Sequence, residues 1–196
     1  MDMHQPDLSR SPDTAGSTPK RVPIALALQG GGSMGAFTWG VLDRLLDVPE
    51  LDIRVVSGTS AGAMNAAALM QGMVKGGPEH GRAEAKALLE ALWRGFASAW
   101  AGPLAPEPEV LAPFERMMAP WFDLWRVNAR KLSRRQINPL GLNPLRPLLE
   151  ELIDPAVFGS PGAPSIVVSA TRLRTGEACL FQDAQVTIDA LLASAC

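Results

Sequence analysis

The sequence predicts an α/β domain built on a mostly parallel sheet. Two short apolar runs each end in a glycine-rich turn and lead into a helical pattern, and a third β-branched run returns after a long helical stretch. Strand, helix, strand, helix within the first 75 residues is a βαβα opening. Right-handed crossovers close such an opening into adjacent parallel strands.

Element by element, VPIALALQ at 22–29 suits a strand buried on both faces. The segment 36–47 carries Phe37, Val41, Leu42, Leu45 and Leu46 at helical spacing, and Pro49 closes it. IRVVS at 53–57 is the second strand, followed by GTSAG and the alanine-rich helix AGAMNAAALMQGM. Gly76, Gly77 and Pro78 break that helix. A stripe of Leu88, Leu89, Leu92, Trp93, Phe96 and Trp100 then predicts an amphipathic helix over 83–100. After the connector AGPLAPEPE, Phe114, Met117, Met118, Trp121 and Trp125 repeat at threes and fours, with a kink expected at Pro120. A helix near 144–153 completes a helical insert over about 83–153. The sheet resumes at 165–173, with a hairpin partner at 178–182 across Thr175 and Gly176. Residues 1–21, rich in Pro, Ser, Asp and Thr, read as a disordered tail before a domain spanning 22–196.

Composition excludes several functional classes. Hydrophobic residues make up 47% and charged residues 19%, which is globular usage. A net charge of -2 supplies no basic field for a phosphate backbone, so nucleic acid is not the expected partner. Cys179 and Cys196 form neither a disulfide framework nor a metal-ligand cluster, so no metal site is expected and a reducing, cytoplasmic location fits. The tail lacks the apolar core of a secretory signal, and no stretch reaches the length of a membrane span. The expectation is a soluble protein, peripheral to a membrane at most.

The sharpest chemical signal is Gly58 to Gly62, GTSAG, which has the G-x-S-x-G form of a nucleophile elbow between a strand and a helix. Gly58 and Gly62 are the small residues that such a fold-back needs. Ser60 then stands at a helix N-terminus, beside free backbone N–H groups and a partial positive charge. A serine merely capping an ordinary helix is the plainer alternative. The second signal, GGGSMG at 30–35, also joins a strand to a helix and is formally G-x-G-x-x-G. A dinucleotide site would require an acidic residue at the tip of the second strand, where this chain has Ser57, Gly58, Thr59 and Ser60. A phosphate-binding Walker loop fails for want of a Lys after the glycines. Adjacent parallel strands bring both turns to one sheet edge, where Gly30, Gly31, Gly32, Gly35 and the N–H of Ala61 can aim donors at an oxyanion beside Ser60.

The base is harder to place. Of the two histidines, His4 lies in the tail and His80 reads as a solvated residue of the glycine-rich break, with no Asp between it and Ser60. A Ser-His-Asp arrangement is therefore unsupported, which leaves a carboxylate taking the serine proton directly.

The segments LALQGGGSMGAFTWGVLDRLL, VVSGTSAGAMNAAAL, INPLGLNPLRPLLEELID, SATRLRTGEACLF and DALLASAC together resemble a bacterial patatin-like phospholipase across roughly 22–196. The resemblance implies a three-layer α/β/α sandwich and a Ser-Asp dyad. It also implies hydrolysis of acyl esters of phospholipids and other lipids, without metal or cofactor. It assigns Ser60 as nucleophile and Gly30, Gly31, Gly32 and Gly35 as the oxyanion loop. Met34 departs from the basic residue or histidine usual there. The resemblance further implies an aspartate in an Asp-Gly-Gly or Asp-Gly-Ala turn after a helix like DALLASAC. Asp123, Asp154, Asp183 and Asp189 follow Ser60, and none precedes a glycine. Asp189 reads as the cap or first-turn charge of the last helix.

The expectation is a domain that is cut before its base, with the catalytic aspartate beyond Cys196. General-base help is typically worth about 100- to 10,000-fold, so these 196 residues alone are expected to be poorly soluble and nearly inert. The rival from another class is a non-catalytic or dinucleotide-binding α/β module. Trp121, Phe122 and Trp125 beside Arg126, Arg130, Lys131, Arg134 and Arg135 suit peripheral contact with a membrane surface. Core packing of those aromatics is the plainer reading. Met70 and Met73 read as packing residues. The sequence leaves open the oligomeric state, the headgroup and acyl-chain preference, and whether esters or thioesters are cleaved.

Overall fold

The computed structural model describes residues 21–101, 143 and 145–195. The tail at 1–20, the aromatic-to-basic stretch at 113–135 with Asp123 and Pro120, and Cys196 lie outside the described residues.

Four strands form one sheet in the order β1-β2-β3-β4: β1 (Val22–Leu28), β2 (Leu51–Thr59), β3 (Ser165–Thr171) and β4 (Ala178–Gln182). β1, β2 and β3 are parallel, and β4 turns back antiparallel onto β3. The β3–β4 turn closes where the N–H of Gly176 donates to the Arg172 carbonyl at 2.8 Å. β2 is longer than IRVVS at both ends, because Leu51 pairs with Val22 and Gly58 with Leu28. A register shift between Ile24 and Ala25 leaves Arg54 without a partner on β1.

The helices are α1 (Gly35–Leu45), α2 (Ala61–Ala101), α3 (Leu145–Leu152) and α4 (Ile188–Ser194). α2 is broken at Gly77, whose φ of 61° lies in the left-handed region, and Pro78 follows. The second segment therefore starts five residues earlier than the stripe from Ala83 suggests, and it folds back along the first. A Cβ at Gly72 would collide with the Ala85 backbone, and one at Gly81 would stand 2.6 Å from the Met73 carbonyl oxygen. Only glycine permits so close an approach. His80 sits exposed just past this break.

One core holds the elements together. Ile53 and Val56 of β2 and Ile166 and Val168 of β3 point into it. There they meet Leu42, Leu46, Met64, Leu69, Met70, Leu89, Leu92, Leu149 and Leu191 from the helices. The expected packing role of Met70 is met at 1% exposure, and Met73 packs against the same core. Alternate residues of the sheet point the other way. Ala25, Ala27 and Val55 on that face are exposed, so the second helical layer of a three-layer sandwich is not among the described residues. On α1 the sequence pattern is half right: Leu42 and Leu46 are buried, but Phe37 is 75% exposed.

Polar contacts fix the loops around this core. The Arg82 guanidinium donates to the carbonyls of Leu46, Val48 and Leu51, tying the α1–β2 connection to α2. The buried Gln71 amide donates to the Leu152 carbonyl at 2.6 Å and accepts from the Asp154 N–H at 2.6 Å, which closes the end of α3. No helix among the described residues is long and apolar enough to cross a membrane.

Candidate active site

Because β1 and β2 are parallel neighbours, the turns that leave them emerge at the same sheet edge. β2 ends at Thr59, α2 begins at Ala61, and Ser60 is the single residue between them. Its φ is 56°, a left-handed conformation uncommon for a residue with a side chain. Such a residue costs roughly 1–3 kcal/mol and persists only where its surroundings over-determine it.

Those surroundings are specific. The Ser60 carbonyl accepts from the N–H groups of Ala63 at 2.9 Å and Met64 at 3.1 Å, which starts α2. The Ser60 N–H donates to the Ser194 hydroxyl at 2.7 Å, and that hydroxyl donates at 2.7 Å to the Ser169 carbonyl on β3. Thr59 and Ser169 also share a short hydroxyl contact. The two elbow glycines allow the backbone to fold back: a Cβ on Gly62 would strike the Leu28 carbonyl, and one on Gly58 the Gly62 carbonyl. Side chains larger than hydrogen at 58 or 62 are incompatible with this turn.

The 30–35 loop lies directly across from Ser60. A Cβ on Gly30 would stand 2.8 Å from the Thr59 oxygen and 3.0 Å from the Ser60 Cβ. Residues Gly32–Met34 form a single 3-10 turn leading into α1. Within it the Met34 N–H is bonded to the Gly31 carbonyl, and the Gly35 N–H to the carbonyls of Gly32 and Ser33. Gly35 therefore departs from its expected part as an oxyanion donor, because its amide is already occupied. Its glycine character serves packing instead, since a Cβ there would come within 2.7 Å of both the Ala61 Cβ and the Trp93 ring. The N–H groups of Gly31, Gly32, Ser33 and Ala61 have no backbone acceptor among the described residues.

Ser60, Ala61, Gly32 and Ser33 form one end of a cavity of about 550 Å³. Its remaining walls are apolar: Ala36, Trp39, Met64, Trp93, Phe96, Ala97, Leu145 and Ala195. Trp93 and Phe96 meet edge to face with ring centroids 5.3 Å apart. The cavity places an uncharged, apolar-walled space beside a hydroxyl and several bare amides. That combination suits a substrate with a polar reacting centre and an apolar tail. No acidic side chain stands at the tip of β2, so the ribose grip of a dinucleotide site is missing from the structure as it is from the sequence.

The described aspartates that follow Ser60 lie elsewhere. Asp183 accepts from the Ser165 hydroxyl at 2.8 Å and the Ile166 N–H at 2.9 Å. Both donors are at the start of β3, whereas Thr59 pairs with Ser169, four residues further along. At about 3.3 Å per residue the separation along the strand is roughly 13 Å. Asp189 is 80% exposed and pairs with Arg146 at 2.5 Å. Together with Glu150 it holds that guanidinium above its ordinary pKa. It supplies the first-turn charge of α4, while the capping oxygen belongs to Thr187. Asp154 accepts from the Ala156 N–H and pairs with Lys75 at 3.4 Å.

Three residues near Ser60 escape a reading of the sequence. Ser194 lies within DALLASAC, but nothing in that run indicates that its hydroxyl reaches back to Ser60. Asn65 is 0% exposed, and its amide in an otherwise apolar helical run is the signal that could have marked it. Trp93 fits the apolar stripe so well that its N–H attracts no notice.

A model of the patatin-like phospholipases matches residues 26–196, a span that includes both glycine turns, the cavity and α4. No curated protein and no solved structure matches the chain. With the match covering all but the N-terminal segment, the chain belongs to the patatin-like phospholipase family, a family of lipid acyl hydrolases.

Proposed function

We propose that Ser60 is the nucleophile of a serine lipid acyl hydrolase that cleaves carboxylic esters of phospholipids or related lipids. The observation that carries this reading is the left-handed Ser60 in the lining of an apolar cavity, flanked by amides without backbone acceptors. The acyl chain occupies the cavity, and its carbonyl carbon lies against Ser60. As the Ser60 Oγ–carbon bond forms, the hydroxyl proton passes to a carboxylate base and the carbonyl oxygen becomes an oxyanion. The N–H of Ala61 and the amides of Gly31 and Gly32 receive that charge, helped by the N-terminal dipole of α2. One such donor is typically worth about 2.7–4 kcal/mol. Collapse of the intermediate breaks the bond to the leaving alcohol, which takes a proton from the base. Water then attacks the acyl-serine by the same route in reverse.

Asp154, Asp183 and Asp189 each serve another partner, so the base in this proposal is an aspartate from outside the described residues, completing a Ser-Asp dyad. The test is labelling by a fluorophosphonate, which reacts with activated serines. Labelling of the protein that disappears in Ser60→Ala is the expected result. Retained labelling in that variant, or saturable NAD binding with none, overturns the proposal.

A further inference from the structure

Asn65 lies one helical turn beyond Ala61 on α2 and is buried completely. Its Nδ2 donates to the Gly35 carbonyl at 2.9 Å, and its Oδ1 accepts from the Trp93 indole N–H at 2.8 Å. A buried amide held at both ends has one orientation. It joins three parts of the site: the end of the glycine loop, the helix that starts at Ser60, and the aromatic wall of the cavity. Gly35 is also where loop and wall are packed without space for a Cβ.

We propose that Asn65 is a positioning residue for the oxyanion loop and that the Trp93 indole N–H is what fixes it. The proposal rests on the acyl-hydrolase reading of Ser60 and deepens it, because the residue lining the acyl cavity then also governs the reacting end. The alternative is that Trp93 only fills space. The two roles separate on substrate length. An acetyl group does not extend along the cavity, so a space-filling ring matters little to it, whereas the geometry of the loop matters to every ester. Trp93→Phe keeps an aromatic ring and removes the N–H, leaving the buried Asn65 oxygen without its donor.

The wild-type protein and its Trp93→Phe variant are compared on p-nitrophenyl acetate and p-nitrophenyl decanoate. The expected result is a fall in kcat of about tenfold on both esters with KM for the acetate little changed. Asn65→Ala is expected to lose at least as much, and the double variant no more than Asn65→Ala, because both changes break the same bridge. An unchanged kcat on the acetate, with only the decanoate KM altered, overturns the proposal. Should Asn65→Ala fail to fold, Trp93→Phe decides alone. Amide hydrogen exchange at Met34 and Gly35, the loop amides held by hydrogen bonds, supplies a readout independent of turnover: faster exchange in Trp93→Phe supports the proposal, and wild-type protection overturns it. If the wild type hydrolyses neither ester and takes no fluorophosphonate label, the hydrolase reading falls, and the exchange result still decides whether Asn65 holds the loop.

Discussion

Replacing Ser194 by Ala removes one oxygen and two hydrogen bonds from the elbow. The Ser60 N–H loses its 2.7 Å acceptor, and the Ser169 carbonyl loses a 2.7 Å donor. Ser194 is 7% exposed, so water replaces that hydroxyl poorly. An unsatisfied buried donor costs about 1–3 kcal/mol, and the lost donor to a carbonyl about 0.5–1.5 kcal/mol. The sum is about 1.5–4.5 kcal/mol, which for a domain of this size lowers Tm by roughly 3–18 °C. The effect on chemistry is separate. Ser60 sits in a backbone conformation costing roughly 1–3 kcal/mol, and its N–H anchor is one of the contacts keeping it there. If half of that strain is released by relaxation away from the reactive geometry, the labelling rate falls about 2- to 13-fold. The assay is the second-order rate of fluorophosphonate labelling of Ser60, measured well below the Tm of the variant, beside thermal unfolding. Ser194→Thr keeps the hydroxyl and is expected to recover part of the rate. A Ser194→Ala protein that labels at the wild-type rate and unfolds within about 1 °C of it refutes the anchoring argument.

Asp189→Asn is expected to leave the labelling rate of Ser60 within about twofold of wild type, since Asp189 is engaged with Arg146 at an exposed surface; a loss of the 100-fold or more that general-base help provides would identify it as the base. A third prediction concerns pH. The hydrogen bond from Lys86, the larger cause, and that from Arg44 hold the Asp47 carboxyl below the ordinary carboxylate value, and Asp47 and Asp43 in turn hold Lys86 above the ordinary amine value. A depressed carboxylate stabilises the fold above its unfolded pKa and loses that contribution as pH falls through the depressed value. Lys86→Met therefore lowers Tm at neutral pH, and the difference from wild type shrinks on acidification through that window. A Tm difference that stays constant to the acid limit, or an Asp47 titration by NMR that does not move upward in the variant, contradicts this account.

Local sequence carried much of the fold. The paired pattern of apolar run, glycine turn and helix specifies β1-α1-β2-α2 because each step depends on residues within about ten positions. The β3–β4 hairpin is equally local. The same holds for the placement of Ser60 opposite the 30–35 loop, which follows once two parallel strands are neighbours. What local pattern misreads are quantities set by distant partners. Phe37 belongs to a good apolar stripe, yet whether it is covered depends on what packs over α1. Gly35 belongs to a good glycine loop, yet its N–H is taken by the 3-10 turn. Trp93 and Asn65 each look like ordinary members of a helix face until the hydrogen bond between them is seen.

The nucleophile itself illustrates the difference most sharply. A G-x-S-x-G run on its own makes a serine at the start of a helix, and nothing within it forces Ser60 to φ 56°. The conformation is completed by a hydroxyl 134 positions away, on a seven-residue helix packed against β3. The Ser194 hydroxyl accepts a hydrogen bond from the Ser60 N–H and donates one to the carbonyl of Ser169, so β2, β3 and α4 must all be docked before the elbow closes. The reactive geometry is thus a tertiary property conferred on a local motif. It follows that undocking α4 by local opening, well short of global unfolding, releases Ser60 from its strained state. Loss of nucleophile reactivity should therefore precede loss of secondary structure on heating.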